Sequence, residues 1–287
     1  MKRLIIVLLM LVPFVSDAQR KISYAKGTVF GYWGYNRSAY TKSNMRFVGP
    51  GYDFTMKGAV AHDNPEKFDA AVYFNPSKLT IPQFNARIGY YFKDNWSISF
   101  GYDHMKYIFA DQNQVSLSGE IDPGVDTLWS GLYSGEPITT DRNHFHYENS
   151  DGLNYLRFEL TRTDQWWKTG KKDWFALSTN VGLSAGGILS FNDFRMGYAA
   201  SDITRRTISL SGYGLSGHLG LRLEFFRHLF LQPNLGAGFH HQVKVKNRPN
   251  DASSYTRQAY GYVEANVVIG FLLYIRTKNG CDSCPVW

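Results

Sequence analysis

The sequence predicts an antiparallel transmembrane β-barrel, and three observations carry that prediction. Apolar and polar residues alternate with a period of two through 43–275, a secretory-type leader precedes them, and the connections sort by length onto two ends. In Asn95–Tyr102 the alternation puts Trp96, Ile98, Phe100 and Tyr102 on one side and Ser97, Ser99 and Gly101 on the other, with Asp103 continuing the polar side. The same split recurs in at least seven further segments, and no helical period competes with it.

The leader has three parts: Lys2 and Arg3 are charged, 4–15 is apolar, and Ser16-Asp17-Ala18 supplies small residues at positions −3 and −1. Cleavage is expected before Gln19. A retained helix would need roughly 18 apolar residues, and this stretch is shorter and contains Pro13. No cysteine follows the cleavage position, which argues against a lipid anchor.

The formal charge of +7 falls to +6 once Lys2, Arg3 and Asp17 are removed. No basic helix gathers this charge, so nucleic acid is not an expected partner. Attraction to anionic lipid headgroups is a simpler use of it. Aromatic residues make up 16% of the chain, with 19 Tyr and 20 Phe, more than one soluble core needs. Barrels place such rings in girdles at both membrane interfaces.

Working outward from the sharpest turns gives eight strands, near 43–58, 82–92, 95–108, 150–162, 174–189, 206–225, 228–245 and 257–275. Short connections at 93–95, 163–173 and 226–228 share one end. Long polar ones near 60–80, 109–147, 190–205 and 247–256 share the other. Outer-membrane barrels show this asymmetry, with short periplasmic turns and long extracellular loops. Residues 19–42 are left as an N-terminal segment, periplasmic or an extra strand, because the run from Gly27 to Tyr35 is strand-like; ten strands is the alternative count. Pro50 and Pro233 fall inside assigned strands, where each removes a ladder donor. Gly49 and Gly51 suggest a bend at the first.

Carrying the parity through each strand turns Asp53, Arg87, Asp103, Arg157, Glu159, His218, Arg222, Glu224 and Glu264 into the lumen. Outward positions read Ile88 and Tyr90, then Leu156, Phe158 and Leu160, then Leu219, Leu221 and Leu223, then Val263, Val267 and Ile269. An eight-stranded barrel is just wide enough for side chains to fill. A near-balanced set of charges there predicts a salt-bridge network that plugs the barrel. The alternative use is a proton or ion path.

The densest polar cluster runs from His144 through His146, Glu148 and Ser150 to Asp151, at the start of the fourth assigned strand. His104 and Lys106 stand at the top of the third. Imidazole, carboxylate and hydroxyl together are the ingredients of acyl transfer. By parity His146, Glu148 and Ser150 point outward. His104, Lys106 and His144 are candidate contacts to lipid phosphates. A polar rim bonded to loop backbone is the plainer reading. The acidic residues within 110–143 suit either divalent-cation bridges between headgroups or a solvated loop.

The stretch His146-Tyr-Glu148-Asn149-Ser150-Asp-Gly152 resembles the His-x-Ser-Asn-x-Gly stretch of the lipid A 3-O-deacylases, eight-stranded outer-membrane barrels with a membrane-facing His/Ser/Glu triad. The resemblance implies His146 as general base; Ser150 and Glu148, on the same strand, are the candidate nucleophile and orienting carboxylate beside it. The family serine falls on Glu148 here, so Ser150 would need a different geometry. Stretches such as Trp33-Gly-Tyr-Asn-Arg-Ser, Gly51-Tyr-Asp-Phe, Ile81-Pro-Gln-Phe-Asn-Ala-Arg-Ile-Gly-Tyr and Asp103-His-Met-Lys-Tyr resemble small outer-membrane barrels of Gram-negative bacteria. That likeness implies a fold and a location.

Cys281 and Cys284 are the only cysteines, and they lie in the tail 276–287, expected to be periplasmic. A local disulfide is the expected state after export, with a partner-linked or free pair as the alternative. Two cysteines cannot complete a four-ligand zinc site, and neither a metal nor a cofactor is expected. The sequence thus predicts a monomeric outer-membrane barrel with a plugged interior, whose loops meet lipopolysaccharide, phospholipid or an extracellular partner. A lipid acyl hydrolase and a small-solute pore are the alternatives.

Overall fold

The computed structural model describes residues 24, 26–65, 69–73, 75, 77–78, 82–169, 174–196 and 206–275. The expected leader, 1–18, and the pair Cys281 and Cys284 lie outside the described residues. Among the described residues strand dominates, with one four-residue helix, α1 (Ala70–Tyr73).

Eight antiparallel strands close a ring. In spatial order they are β1 (Thr28–Tyr40), β5 (Phe84–Lys93), β6 (Trp96–Phe109), β9 (Phe145–Lys168), β10 (Phe175–Met196), β11 (Thr207–Phe225), β12 (Leu229–Arg248) and β13 (Asp251–Tyr274). β1 returns to β13 in continuous register from Thr28↔Tyr274 to Tyr40↔Tyr262, and this pairing closes the barrel. The expected count of eight holds, but the first stave differs. β1 takes the place assigned to 43–58 and brings residues 28–40 of the N-terminal segment into the barrel wall. Its alternation is regular, with Phe30 buried inside and Trp33 and Tyr35 on the outer face.

The residues assigned as the first strand form a hairpin instead. β2 (Ser43–Gly49) and β3 (Tyr52–Ala59) pair with each other, and β2 continues the β1 edge by pairing β13 at Tyr255, Thr256 and Arg257. Pro50 and Gly51 make the turn, with Gly51 at a φ of 77°, a value costly for other residues. Both arms alternate, so a period of two alone could not reveal the reversal. The expected loop 109–147 likewise holds a hairpin, β7 (Gln114–Ile121) and β8 (Gly131–Thr139), which extends the sheet from β3. The two-residue strand β4 (Ala61–His62) pairs β6. β8 ends the sheet, and Pro137 removes one donor from it, a device that blunts edge pairing. The expected loop at 247–256 is a two-residue turn, because Arg248 pairs Asp251 directly.

The turns β5–β6, β9–β10 and β11–β12 and the ends at Gly27 and Ile275 share one end, called lower here. The hairpins share the upper end. A membrane-spanning strand needs about 9–11 residues, whereas β9 and β13 each have 24. The strands therefore run well past any bilayer at the upper end. Over the lower half the outer face is a belt of exposed apolar side chains: Ile88 is 62% exposed, Leu183 71%, Leu235 67% and Ile269 67%. Burying each such side chain is worth about 1.5–3 kcal/mol, and a patch encircling a molecule far exceeds what soluble monomers expose. Trp166, Trp167, Trp174 and Phe226 rim the belt below. This is a membrane-spanning barrel, with the aromatic girdle expected at the lower interface.

Its interior is filled in tiers. At the level of the belt, Arg87 forks onto Asp103 at 2.6 and 2.9 Å, and Arg157 reaches the same carboxylate at 2.9 Å. Glu159 sits among Arg157 at 3.6 Å, Arg87 at 3.9 Å and His218 at 3.4 Å. Glu264 joins through Asn85, which also bonds Asp103. Six of the nine expected lumen residues thus converge. The void beside them measures about 10 Å³, room for about one water.

Three residues depart from the expectation. Arg222 is inside but lower, bonded to Gln232 and Tyr91 and packed 4.3 Å over the Phe230 ring. Glu224 meets Ser178, outside the network. Asp53 is not in the lumen at all: it lies on the β2–β3 hairpin in an exposed pair with Arg46. Above the charges, Phe47, Phe54, Met56, Tyr107, Phe145, Phe194 and their neighbours make an apolar core. Much of the aromatic excess is spent there, inside the barrel.

Loss of one partner should separate the two kinds of ion pair. Arg87→Ala leaves Asp103 and Glu159 facing a buried vacancy and should cost about 3–5 kcal/mol. Arg46→Ala, in a pair half exposed on both sides, should cost under about 1 kcal/mol. Urea unfolding in detergent micelles measures both; equal losses would contradict the network.

Candidate functional site

Above the belt, the outer face of β9 turns from Leu160, Phe158 and Leu156 to Ser150, Glu148 and His146. A bulge makes the change. Between Leu153 and Asn149 the strand holds three residues where β6 has one, Lys106. Gly152, at a φ of 152°, takes up the irregularity. The excess of two preserves the parity, so His146, Glu148 and Ser150 remain outward while Tyr147 and Asn149 fill the interior. The outward direction agrees with the sequence reading.

The cluster has a fixed order. Ser150 Oγ donates to Glu148 Oε1 at 2.7 Å, and the other carboxylate oxygen lies 3.3 Å from His146 Nε2. Arg142 stands 3.8 Å from the same oxygen. The His146 contact, helped by the Ser150 hydroxyl, pushes the Glu148 carboxyl down to about 2. Glu148 thus joins serine to histidine. Acyl transfer needs the imidazole in the middle, touching the nucleophile and oriented by the acid. A carboxylate this weakly basic is a poor general base for a hydroxyl at neutral pH.

β10 adds residues the sequence reading missed. Asp193 is opposite Glu148 and Arg195 opposite His146. They had been assigned to a loop beginning at 190. The signal was present, since Phe194 and Met196 continue the buried parity while Asp193 and Arg195 alternate with them.

The remaining candidates do not join the cluster. His144 Nδ1 is 3.1 Å from Asp126 Oδ2, and its ring stacks on Trp129. His104 is buried, with Nδ1 2.8 Å from Asn154 Oδ1 and its ring stacked on Phe84. Lys106 is buried as well. None of the three presents an open cation to a lipid phosphate.

No family model matches the chain, and no curated protein matches it. Among solved structures it is similar to the outer membrane protein OprG from Pseudomonas aeruginosa, at 11% identity and TM-score 0.40, over 89% of this chain and 100% of that one. It is also similar to the outer membrane protease OmpT from Escherichia coli, at 8% identity and TM-score 0.40, over 89% and 100%. Outer membrane protein AlkL gives 10% identity and TM-score 0.38, over 92% and 99%. The barrel assignment itself rests on the closed ladder.

The lowered Glu148 carboxyl has a pH signature. Its interactions add stability above the unfolded value near 4.5, and that stability drains away as pH falls toward about 2. The difference in unfolding midpoint between wild type and Glu148→Gln should shrink as pH falls from 4.5 toward about 2. A difference that grows on acidification would contradict the assignment.

Proposed function

We propose that the chain is a monomeric outer-membrane barrel with a closed interior and a non-enzymatic role at the surface. Its upper strands would meet lipopolysaccharide, phospholipid or an extracellular partner. The filled lumen carries this reading: ion pairs block the level of the belt, and an apolar core blocks the level above. The closed ladder, the apolar belt and the leader expected from sequence support an outer-membrane address. The order Ser150–Glu148–His146 speaks against the acyl hydrolase.

Two measurements test the closed interior and the absence of hydrolysis. Purified protein in planar bilayers should show no conductance steps of a water-filled pore, and steady large steps would reinstate the pore. Incubation with lipopolysaccharide or phospholipid should release no fatty acid. Release that vanishes in both His146→Ala and Ser150→Ala would establish the hydrolase instead.

The proposed orientation places the upper hairpins outside the cell. A protease site inserted between β7 and β8, within 122–130, should be cut on intact cells, and one at 226–228 should be protected. The reverse pattern would invert the topology.

A further inference from the structure

We propose that His146, Glu148 and Asp193 form a surface site for a divalent transition-metal ion of the zinc class. Among the described residues they are the one grouping of three such side chains whose donor atoms all lie within 4.8 Å of one another. The set was not visible in the sequence, because Asp193 is 45 residues from Glu148 and meets it only through the β9–β10 register.

The spacing fits the chemistry. With zinc to nitrogen and oxygen distances of about 2.0–2.2 Å, tetrahedral geometry separates neighbouring donors by about 3.3–3.6 Å. His146 Nε2 and Glu148 Oε2 are 3.3 Å apart. They are held there by sequence spacing, two residues apart on one face of a strand. Asp193, opposite Glu148 on the ladder, brings a carboxylate oxygen within 4.8 Å of both.

A second observation points the same way. Asp193 Oδ1 is shielded from solvent and has no hydrogen-bond partner, a costly state for a carboxylate oxygen that a bound cation would relieve. Ser150 holds the outer oxygen of Glu148 and so orients the ligand, as residues behind metal ligands do. One imidazole with two carboxylates suits zinc and its first-row neighbours. Two cations border the site. Arg142 is 3.8 Å from Glu148 and largely exposed, free to swing away. Arg195 lies opposite His146, and its Nη2 donates to the Arg142 carbonyl at 3.5 Å.

The test uses tag-free, full-length mature protein refolded in detergent, with Cys281→Ser and Cys284→Ser so that thiolates cannot contribute. Titration with zinc ion alone should show one equivalent bound, and zinc should raise the unfolding temperature. Changes behind metal ligands cost about 10–100-fold in affinity, so His146→Ala and Asp193→Asn, which remove ligands, should each lose at least that much. Ser150→Ala should lose about 10-fold, and His144→Ala should lose nothing. Circular dichroism and gel mobility establish that each variant is folded. Should His146→Ala fail to fold, Asp193→Asn gives the same reading. Absence of a stoichiometric zinc ion, or binding that survives Asp193→Asn unchanged, overturns the site.

Discussion

The pairing of β1 with β13 is the contact on which the rest of the structure depends. In a bilayer no water is present to satisfy a free strand edge, so an open sheet would leave a row of unpaired N–H and C=O groups in hydrocarbon. Thirteen consecutive residue pairs, Thr28↔Tyr274 to Tyr40↔Tyr262, remove that edge. Closure also makes inside and outside distinct. Once the ring is shut, each parity has one environment, and Arg87 and Ile88, adjacent in sequence, end up in an ion-pair network and in the apolar belt.

The interior then has to be filled with whatever the inward parity supplies. Two tiers answer in different currencies. Asp103 between Arg87 and Arg157 is fully buried, so its charge persists only through those direct contacts. Above it the lumen residues are large and apolar, with Phe47 stacked on Phe54 at 5.2 Å and edge-on to Phe145 at 5.1 Å. The β2–β3 and β7–β8 hairpins supply about half of that upper core. They cap the barrel while extending its wall.

The cluster on the outer face of β9 and β10 stands on this frame. Its inward neighbours Tyr147, Asn149 and Phe194 are packed in the interior, which fixes the backbone that carries His146, Glu148 and Asp193. The arrangement that makes Glu148 a poor member of a hydrolytic triad, a central carboxylate sharing its oxygens between Ser150 and His146, also makes it a well-held ligand. Geometry, more than residue type, distinguishes the two chemistries.

The sequence by itself determined the alternation, and with it the barrel class, the count of eight, and the facing of residues such as Arg157, Glu159, Phe158 and His146. A period of two is a local property and survives wherever the strand goes. Pairing is not local. Nothing in 28–40 distinguishes a stave from a flanking strand, and nothing in 43–59 announces a hairpin except Pro50 and Gly51; only closure against β13 decided which was which. Asp53 was misplaced for this reason, since parity names a face but not the sheet to which the face belongs. Strand length misled in the same way: above the belt the outer face turns polar, so Asp193 and Arg195 resembled loop although Phe194 and Met196 keep the inward parity. That Asp193 faces Glu148 was decided by register. Register is set across the ladder by residues tens of positions apart, and a single strand does not contain it.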